Sequence, residues 1–359
     1  MNEALLDLLA CPTCQMALAL EDPRRDAGAR ITEGRLRCEC GCTYPIRAGI
    51  PRLLPGDAEV GVREDGGTAR HFEKEFTVFA EGDADTVAPE VDDFHFFSRS
   101  GLDPRLYREF DDPFLTSIPP GSYRPDGSTL AGAVVLDAGS GPGRFTRAAA
   151  RNSRHVVGLE LGGHVERAAA SCKDMLNVDF VQGSVLRPPF RPEAFDYVFS
   201  LGVLHHTPDP RGACLMLGRL VKPGGRMSVW VYPPEYWNGR IRGWFGRRLH
   251  RRLAQRAPED TFRIVERYLY PLGRAQAFLA KRRWTKLAGA PLYLLSVPRH
   301  PKRELMLTTI FDYYGPPIIS THTYEEVAGW LSDAGLTPTF KVPVPSAWLA
   351  TRATATAGT

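Results

Sequence analysis

The chain has 359 residues, of which 43% are hydrophobic and 24% charged, with a net charge of +4 at neutral pH. Its length suits about two domains with a sizeable core, and the composition is that of an ordinary soluble globular protein. No apolar run is long enough to span a bilayer, and the opening MNEALLDLLACPTC is acidic where a signal peptide is basic, so the expected location is the cytoplasm.

Five of the seven cysteines fall early: Cys11, Cys14, Cys38, Cys40 and Cys42. Cys11-Pro-Thr-Cys14 is a C-x2-C knuckle, and Cys38-Glu-Cys40-Gly-Cys42 follows some two dozen residues later. In a reducing compartment such a cluster reads as a metal site rather than a disulfide framework. Two pairs at this separation can clamp one tetrahedral zinc through four thiolates. A segment this short buries little core, so the metal would supply folding energy. Cys38 and Cys40 are favoured as the second pair because Gly41 suits the turn of a second knuckle; Cys42 is the alternative fourth ligand. Cys172 and Cys214 read as core cysteines. LLDLLACPTC, LRCECG and YPIRAGIPRLLP together resemble the small zinc-ribbon activator subunit of certain RNA and protein methyltransferases. The resemblance implies a zinc-ribbon domain over residues 1–57 holding a structural Zn2+. The family often places two residues between the second pair of cysteines, and this chain has one.

Residues 58–125 are rich in Gly, Asp and Pro and read as a linker. Within them VDDFHFFSRSGLDPRLYREF is aromatic and is expected to be partly helical, either covering a ligand cleft or strapping two domains together.

Residues 126–232 carry the strongest pattern. AVVLDAGSGPGRFT (Ala133–Thr146) is an apolar strand ending in Asp137, then a glycine-rich turn opening a helix. Gly139, Gly141 and Gly143 allow the backbone to approach a ligand closely. The second strand, HVVGLE, ends in Glu160, an acid placed to accept hydrogen bonds from ribose hydroxyls. A helix over 163–172, a strand in NVDFVQGS, a strand in AFDYVFSLGVLHH, a helix over 209–220, a Lys222-Pro-Gly-Gly turn and a strand in GRMSVWVY follow. Strands and helices alternating at this rhythm predict a mostly parallel sheet.

This order, with LDAGSGPGRF, GLE, FDYVFSLGVLHHTPDP and LVKPGGR, resembles the class I S-adenosylmethionine (SAM)-dependent methyltransferases, in particular the quinone-biosynthesis subgroup. The fold implied is α/β: a doubly wound, seven-stranded Rossmann-like sheet with the small N-terminal zinc ribbon and a helical cap insertion. The resemblance implies that Asp137, Gly139 and Gly141 line the methionine part of SAM, that Glu160 holds the ribose and that Leu161 flanks the adenine. Gly183, Ser184 and Val185 would lie beside the adenine, and Ser200, Leu201 and Gly202 would form the floor. Ser184 stands where the family usually has an Asp that accepts from the adenine amino group.

Methyl transfer needs alignment of donor and acceptor, and an oxygen, nitrogen or carbon acceptor can also need a base near neutral pKa. His205 and His206, at the carboxyl edge of the sheet, are candidates. A second set is Asp312-Tyr313-Tyr314 with His322, in a stretch that resembles a segment near the C-terminus of the same subgroup. Residues 321–359 are expected to return to the core: a helix starting at Thr323 and ending at Gly335, then two antiparallel strands.

Residues 233–320 form the insertion. Between Arg240 and Arg303 lie 17 Lys or Arg and three acids, with Ile241, Trp244, Phe245, Leu249 and Leu253 at helical spacing among the arginines. Such a segment can cap the site with its charges in water, lie on an anionic membrane or lipid-linked substrate, or bind nucleic acid phosphates.

The leading reading is a methyltransferase acting on a small-molecule acceptor: a metabolite, glycan or lipid-linked precursor, by O- or N-methylation. The alternative is an RNA base methyltransferase (rRNA or tRNA) using the ribbon and basic insertion as a clamp. Against it, LGVLHH stands where enzymes that grip planar amino groups carry an Asn-Pro-Pro-Tyr type motif. A non-enzymatic module recruiting a partner through the ribbon is the third.

Overall fold

The structure is a computed structural model. It describes residues 1–54, 67–81, 130, 132–151, 153–234, 240–279, 295, 297, 303–341 and 346–354. The aromatic stretch VDDFHFFSRSGLDPRLYREF lies outside them.

Near the N-terminus, β1 (Leu18–Arg25), β2 (Ile31–Cys38), β3 (Thr43–Arg47) and β4 (Ile50–Pro51) make an antiparallel sheet in that order. Alternation along β3 buries Tyr44 and Ile46 and exposes their neighbours. The large sheet holds β5 (Val134–Ala138), β6 (His155–Glu160), β7 (Val178–Gln182), β8 (Phe195–Leu201), β9 (Val221–Trp230), β10 (Leu336–Lys341) and β11 (Ala347–Arg352). Its order is β10-β11-β9-β8-β5-β6-β7, parallel throughout except that β11 runs antiparallel to both neighbours. This is the expected doubly wound seven-stranded arrangement. Strand order reverses between β5 and β8, which opens a crevice at their carboxyl ends. All five residues of β5 are buried, as its apolar run requires with both faces covered.

Nine α-helices accompany the sheets among the described residues: α1 (Thr68–Glu81), α2 (Arg144–Ala150), α3 (Val165–Ser171), α4 (Pro210–Gly218), α5 (Arg240–Leu253), α6 (Pro258–Ile264), α7 (Tyr270–Leu279), α8 (Arg303–Tyr314) and α9 (Tyr324–Asp333). A π-helical turn, Val265–Leu269, joins α6 to α7. Asp209 caps α4 by accepting from Gly212 N. Thr323 and Glu326 form a reciprocal capping box on α9. The helices of the insertion share a core built from Leu253, Val265, Leu269, Met306, Ile310 and Phe311. α1 packs against α6 and α8. Lys222-Pro-Gly-Gly, expected as a turn before the fifth strand, lies inside β9 instead. An irregularity in the β8–β9 register between Phe195 and Tyr197 absorbs it, and Lys222 Nζ pairs with Asp196 at 2.8 Å.

The small sheet does not close a core of its own. Leu5, Leu9, Ile31, Leu36, Ile46 and Leu53 pack into one cluster with Leu136, Val157, Leu159, Val181 and Phe190 of the large domain. Leu53 N donates to Gln182 O at 2.8 Å, and Arg52 bridges Gln182 in parallel, so the chain after β4 lines the outer edge of β7. Beside that contact Asp179, its side chain 1% exposed, accepts from Arg30 Nη2 at 2.8 Å and Asn2 N at 2.9 Å, and faces His155 Nε2 at 2.8 Å.

Asp179→Ala would leave the Arg30 guanidinium without its carboxylate at this seam. Removing one member of a buried charged set costs about 3–5 kcal/mol, with the lower end expected because Arg30 is partly exposed. Urea unfolding is expected to show that loss, and limited proteolysis to cut first within residues 1–54. An unchanged midpoint and cleavage pattern would refute this role of the carboxylate.

Candidate active site

The crevice is built from the strand ends inward. After Ala138 the chain turns at Gly139, whose φ of 91° disfavours side chains. A Cβ there would lie 2.4 Å from Val203 Cγ2, so the turn can pass under Val203 only as glycine. The amides of Gly139 and Ser140 both donate to Leu159 O, at 2.8 and 3.0 Å, which ties the turn to β6. Thr146 Oγ1 donates to Asp137 Oδ2 at 2.6 Å, and Ser200 Oγ donates to Ala138 O at 2.8 Å. These bonds lock the ends of β5 and β8 together beneath the turn.

Glu160 lies opposite. Its Oε2 accepts from Gly141 N at 2.8 Å, and its Oε1 from Leu161 N at 2.7 Å and Gly162 N at 3.0 Å. His164 Nε2 stands 3.2 Å from Oε1. Burial works against the charge, but His164 and the backbone donors outweigh it and hold the carboxyl below its ordinary pKa. Gly183 N donates to the Glu160 carbonyl at 2.9 Å. The Ser184 hydroxyl accepts from Leu186 N at 3.2 Å, within its own loop, and Val185 is buried in the core. Gly202 N donates to Trp230 O at 3.0 Å, which sets the chain beyond Leu201. Gly143 packs against Ala168 and Ser171 of α3. A hydroxyl at the centre of the turn, Ser140 Oγ, is buried and has no hydrogen-bond partner among the described residues. A glycine turn, an ionised acid and an unsatisfied buried hydroxyl within one crevice fit a nucleoside bearing an amino acid, so the residues present suit SAM.

On the far side lie the histidines. A 3-10 turn, Leu204–His206, sets the His205 and His206 rings with centroids 4.1 Å apart. His205 Nδ1 accepts from Tyr232 N at 3.3 Å. A backbone N–H only donates, so Nδ1 is bare and the proton of the neutral ring sits on Nε2. That Nε2 is buried without a partner among the described residues. His206 Nδ1 lies 2.8 Å from Ile318 O, and a carbonyl only accepts, so here Nδ1 carries the proton and Nε2 presents a lone pair. Burial pushes His205 well below its ordinary pKa and His206 down to about 4. Both rings are therefore neutral near pH 7, one a donor and the other an acceptor.

Asp312 Oδ2 accepts from Tyr232 OH at 2.7 Å, and the Tyr232 ring stacks on His205 at 3.8 Å. His322 is tied into the scaffold. Its Nε2 donates to Ser320 Oγ at 2.8 Å, and that hydroxyl donates to His205 O at 3.1 Å.

Three further residues enter that no motif singled out: His71 and Phe72 of α1, and Tyr232. His71 is buried, stacks on Phe311 with centroids 4.0 Å apart, and has no partner for Nε2 among the described residues. Phe72 meets the His206 ring edge-on at 4.9 Å. Tyr232 carried one available signal, its position at the carboxyl end of the fifth predicted strand.

In the small sheet, the thiols of Cys11, Cys14, Cys38 and Cys40 all lie within 4.8 Å of one another, and Cys42 is outside this group. Cys14 Sγ is 3.3 Å from Cys38 Sγ, and Cys11 Sγ is 3.8 Å from Cys40 Sγ. Tetrahedral zinc with Zn–S near 2.3 Å separates its sulfurs by about 3.8 Å, so the four thiols fit that ion. Gly41 N donates to Cys38 O at 3.0 Å and closes the second knuckle. Cys172 and Cys214 are buried.

Residues 136–229 match the methyltransferase domain family. The seven-stranded sheet order agrees with that match. The ubiquinone biosynthesis O-methyltransferase of Klebsiella pneumoniae is 35% identical over 101 residues, which are 27% of this chain and 42% of the relative. Its namesake in Xylella fastidiosa is 33% identical over 103 residues, covering 28% and 42%. The chain thus spans about two fifths of the length of these curated relatives. Among solved structures, magnesium protoporphyrin IX methyltransferase from Synechocystis PCC 6803 with bound SAM has a TM-score of 0.41 at 12% identity, covering 83% of this chain and 98% of that one.

The buried histidines make stability depend on pH. Unfolded, each has a pKa of about 6.5; folded, His71, His205 and His206 lie lower. Below pH ~6.5 the unfolded chain binds protons that the folded chain refuses, so their contribution is present above that pH and is lost on acidification. For His206, falling to about 4, the loss is on the order of 3 kcal/mol by pH ~4. Thermal melts of wild type and His206→Gln across this range are expected to show a shallower acid decline in the variant. Parallel curves would mean that His206 is not held neutral.

Proposed function

We propose that the protein transfers a methyl group from SAM to a small-molecule acceptor: a metabolite, glycan or lipid-linked precursor, at an oxygen or nitrogen. The observation that carries this reading is the 2.8 Å contact between Gly141 N and the Glu160 carboxylate, which joins the glycine turn after β5 to an ionised acid at the end of β6. Asp137, Gly139 and Gly141 would line the methionine part, Glu160 the ribose, Leu161 with Gly183, Ser184 and Val185 the adenine, and Ser200, Leu201 and Gly202 the floor. When bound, SAM supplies a methyl group already activated for in-line displacement.

This chain's own residues then do the rest. The His206 Nε2 lone pair accepts a hydrogen bond from the O–H or N–H of the acceptor and aligns it; a ring held down to a pKa of about 4 serves alignment rather than proton removal. The His205 Nε2 proton makes a hydrogen bond to the acceptor and orients it. Tyr232 and Asp312, bonded to each other, form a neighbouring wall. His322 holds the His205 loop through Ser320. Helix α1 and the insertion over 233–320 close over the acceptor side and exclude water. The ribbon over 1–57 holds one structural zinc through Cys11, Cys14, Cys38 and Cys40; four thiolates leave no open position for chemistry.

The test uses SAM labelled in its methyl group, incubated with the protein and with small-molecule, lipid, RNA and protein fractions of host extract. Label is expected in the small-molecule or lipid fraction; label in RNA alone would overturn the acceptor class. By calorimetry, Glu160→Gln is expected to bind SAM roughly 10- to 100-fold more weakly, the scale of losing hydrogen bonds to a charged group; equal affinity would remove Glu160 from the site. Metal analysis is expected to find one zinc per chain, lost in Cys40→Ser and kept in Cys42→Ser, and the reverse pattern would move the fourth ligand to Cys42.

A further inference from the structure

The insertion carries a surface that methyl transfer does not use. Every exposed aromatic side chain among the described residues belongs to it: Trp244 (50% exposed), Phe245 (36%), Tyr268 (61%) and Phe278 (69%). Arginines accompany the rings. The Arg248 guanidinium lies 5.5 Å from the centroid of Trp244, and that of Arg267 lies 5.8 Å from Tyr268. On α5, Trp244, Arg248, Arg251 and Arg252 recur at helical spacing and are exposed, while Gly243, Gly246 and Leu253 are buried. Leading into and along α7, Arg267, Pro271, Arg274 and Phe278 form a second exposed series at helical spacing. Two of the acids nearby are already neutralised, Asp260 by Arg263 at 2.9 Å and Glu266 by Arg303 at 2.6 Å. Among the described residues, no acid pairs with Arg248, Arg251, Arg252, Arg267 or Arg274.

We propose that the exposed side of α5 docks on the surface of an anionic phospholipid bilayer. Arg248, Arg251 and Arg252 meet lipid phosphates, and the rings of Trp244 and Phe245, 4.8 Å apart, enter the boundary between headgroups and acyl chains. Permanent positive charge beside large exposed rings is the complement of that surface, which is at once anionic and apolar. Double-stranded nucleic acid matches the charge but offers no apolar layer for the rings; single-stranded RNA, whose bases can stack on rings, is the competing outcome of the test. No helix among the described residues is long and apolar enough to cross a membrane, so the attachment lies along the surface. The proposal stands on this face alone and does not depend on the methyl-transfer reading.

The test sediments the full chain with vesicles of phosphatidylcholine alone and of phosphatidylcholine with phosphatidylglycerol, at low and high salt. Binding to the anionic vesicles is expected to exceed that to neutral ones by at least about tenfold and to weaken as salt shortens the screening length. Two variants divide the surface: Trp244→Ser with Phe245→Ser, and Arg248→Ala with Arg251→Ala and Arg252→Ala. Each is expected to lose at least about tenfold in affinity while keeping the wild-type melting temperature. If the aromatic variant misfolds, the arginine variant carries the test. Equal binding to both vesicles, no binding to either, or unchanged binding by the folded variants would overturn the proposal. So would single-stranded RNA that binds this face more tightly than the anionic vesicles and strips the protein from them.

Discussion

The fold depends on the seam where the small sheet closes the outer edge of the large one. β7 would otherwise present a row of unpaired backbone groups to solvent, a liability that proteins cover or pair. Here Arg52 and Leu53 line that edge, and Asp179 faces the ribbon from within it. A buried carboxylate is tolerable only when its acceptor sites are filled, and Arg30, Asn2 N and His155 fill them. The ribbon therefore supplies partners to the sheet, and the sheet supplies the apolar floor that about fifty residues cannot build alone.

That seam reaches toward the crevice. Gly183, Ser184 and Val185 begin the connection from β7 to β8, and its far end is pinned by the ribbon: Ala10 N donates to Pro189 O at 3.0 Å, and Arg191 N to Leu8 O at 2.9 Å. Ala10 is adjacent to Cys11. A metal that fixes the first knuckle would thus also steady the connection whose first residue, Gly183, is bonded to the Glu160 carbonyl.

Local chemistry is what the sequence made legible. The apolar run of β5, the acid closing β6, the helix starts near Asp209 and at Thr323 and the antiparallel closing pair each follow from neighbours a few residues apart. Lys222-Pro-Gly-Gly misled because its turn composition is real, yet pairing with β8 and the Lys222–Asp196 ion pair hold it in a bulged strand. The histidines show the other limit. Their position after the fourth strand can be read directly, but their proton placement depends on Tyr232 N and Ile318 O, which are distant in sequence. His71 is further still from legibility, since only the packing of α1 on α8 brings it beside Phe311.

The geometry of Glu160 bears on how a nucleoside would be held. A carboxylate offers about four lone-pair directions, and three already accept backbone N–H groups of Gly141, Leu161 and Gly162. Oε1 is filled by two of these donors and also faces His164, whereas Oε2 has one direction open. One ribose hydroxyl can be accepted with nothing displaced; a second requires a donor of the loop 161–164 to yield. The backbone bonds keep the carboxylate charged and aimed before any ligand arrives, and His164 offsets the cost of burying that charge. Selectivity for a vicinal diol over a single hydroxyl would then arise from how readily this short loop gives way, rather than from any additional side chain.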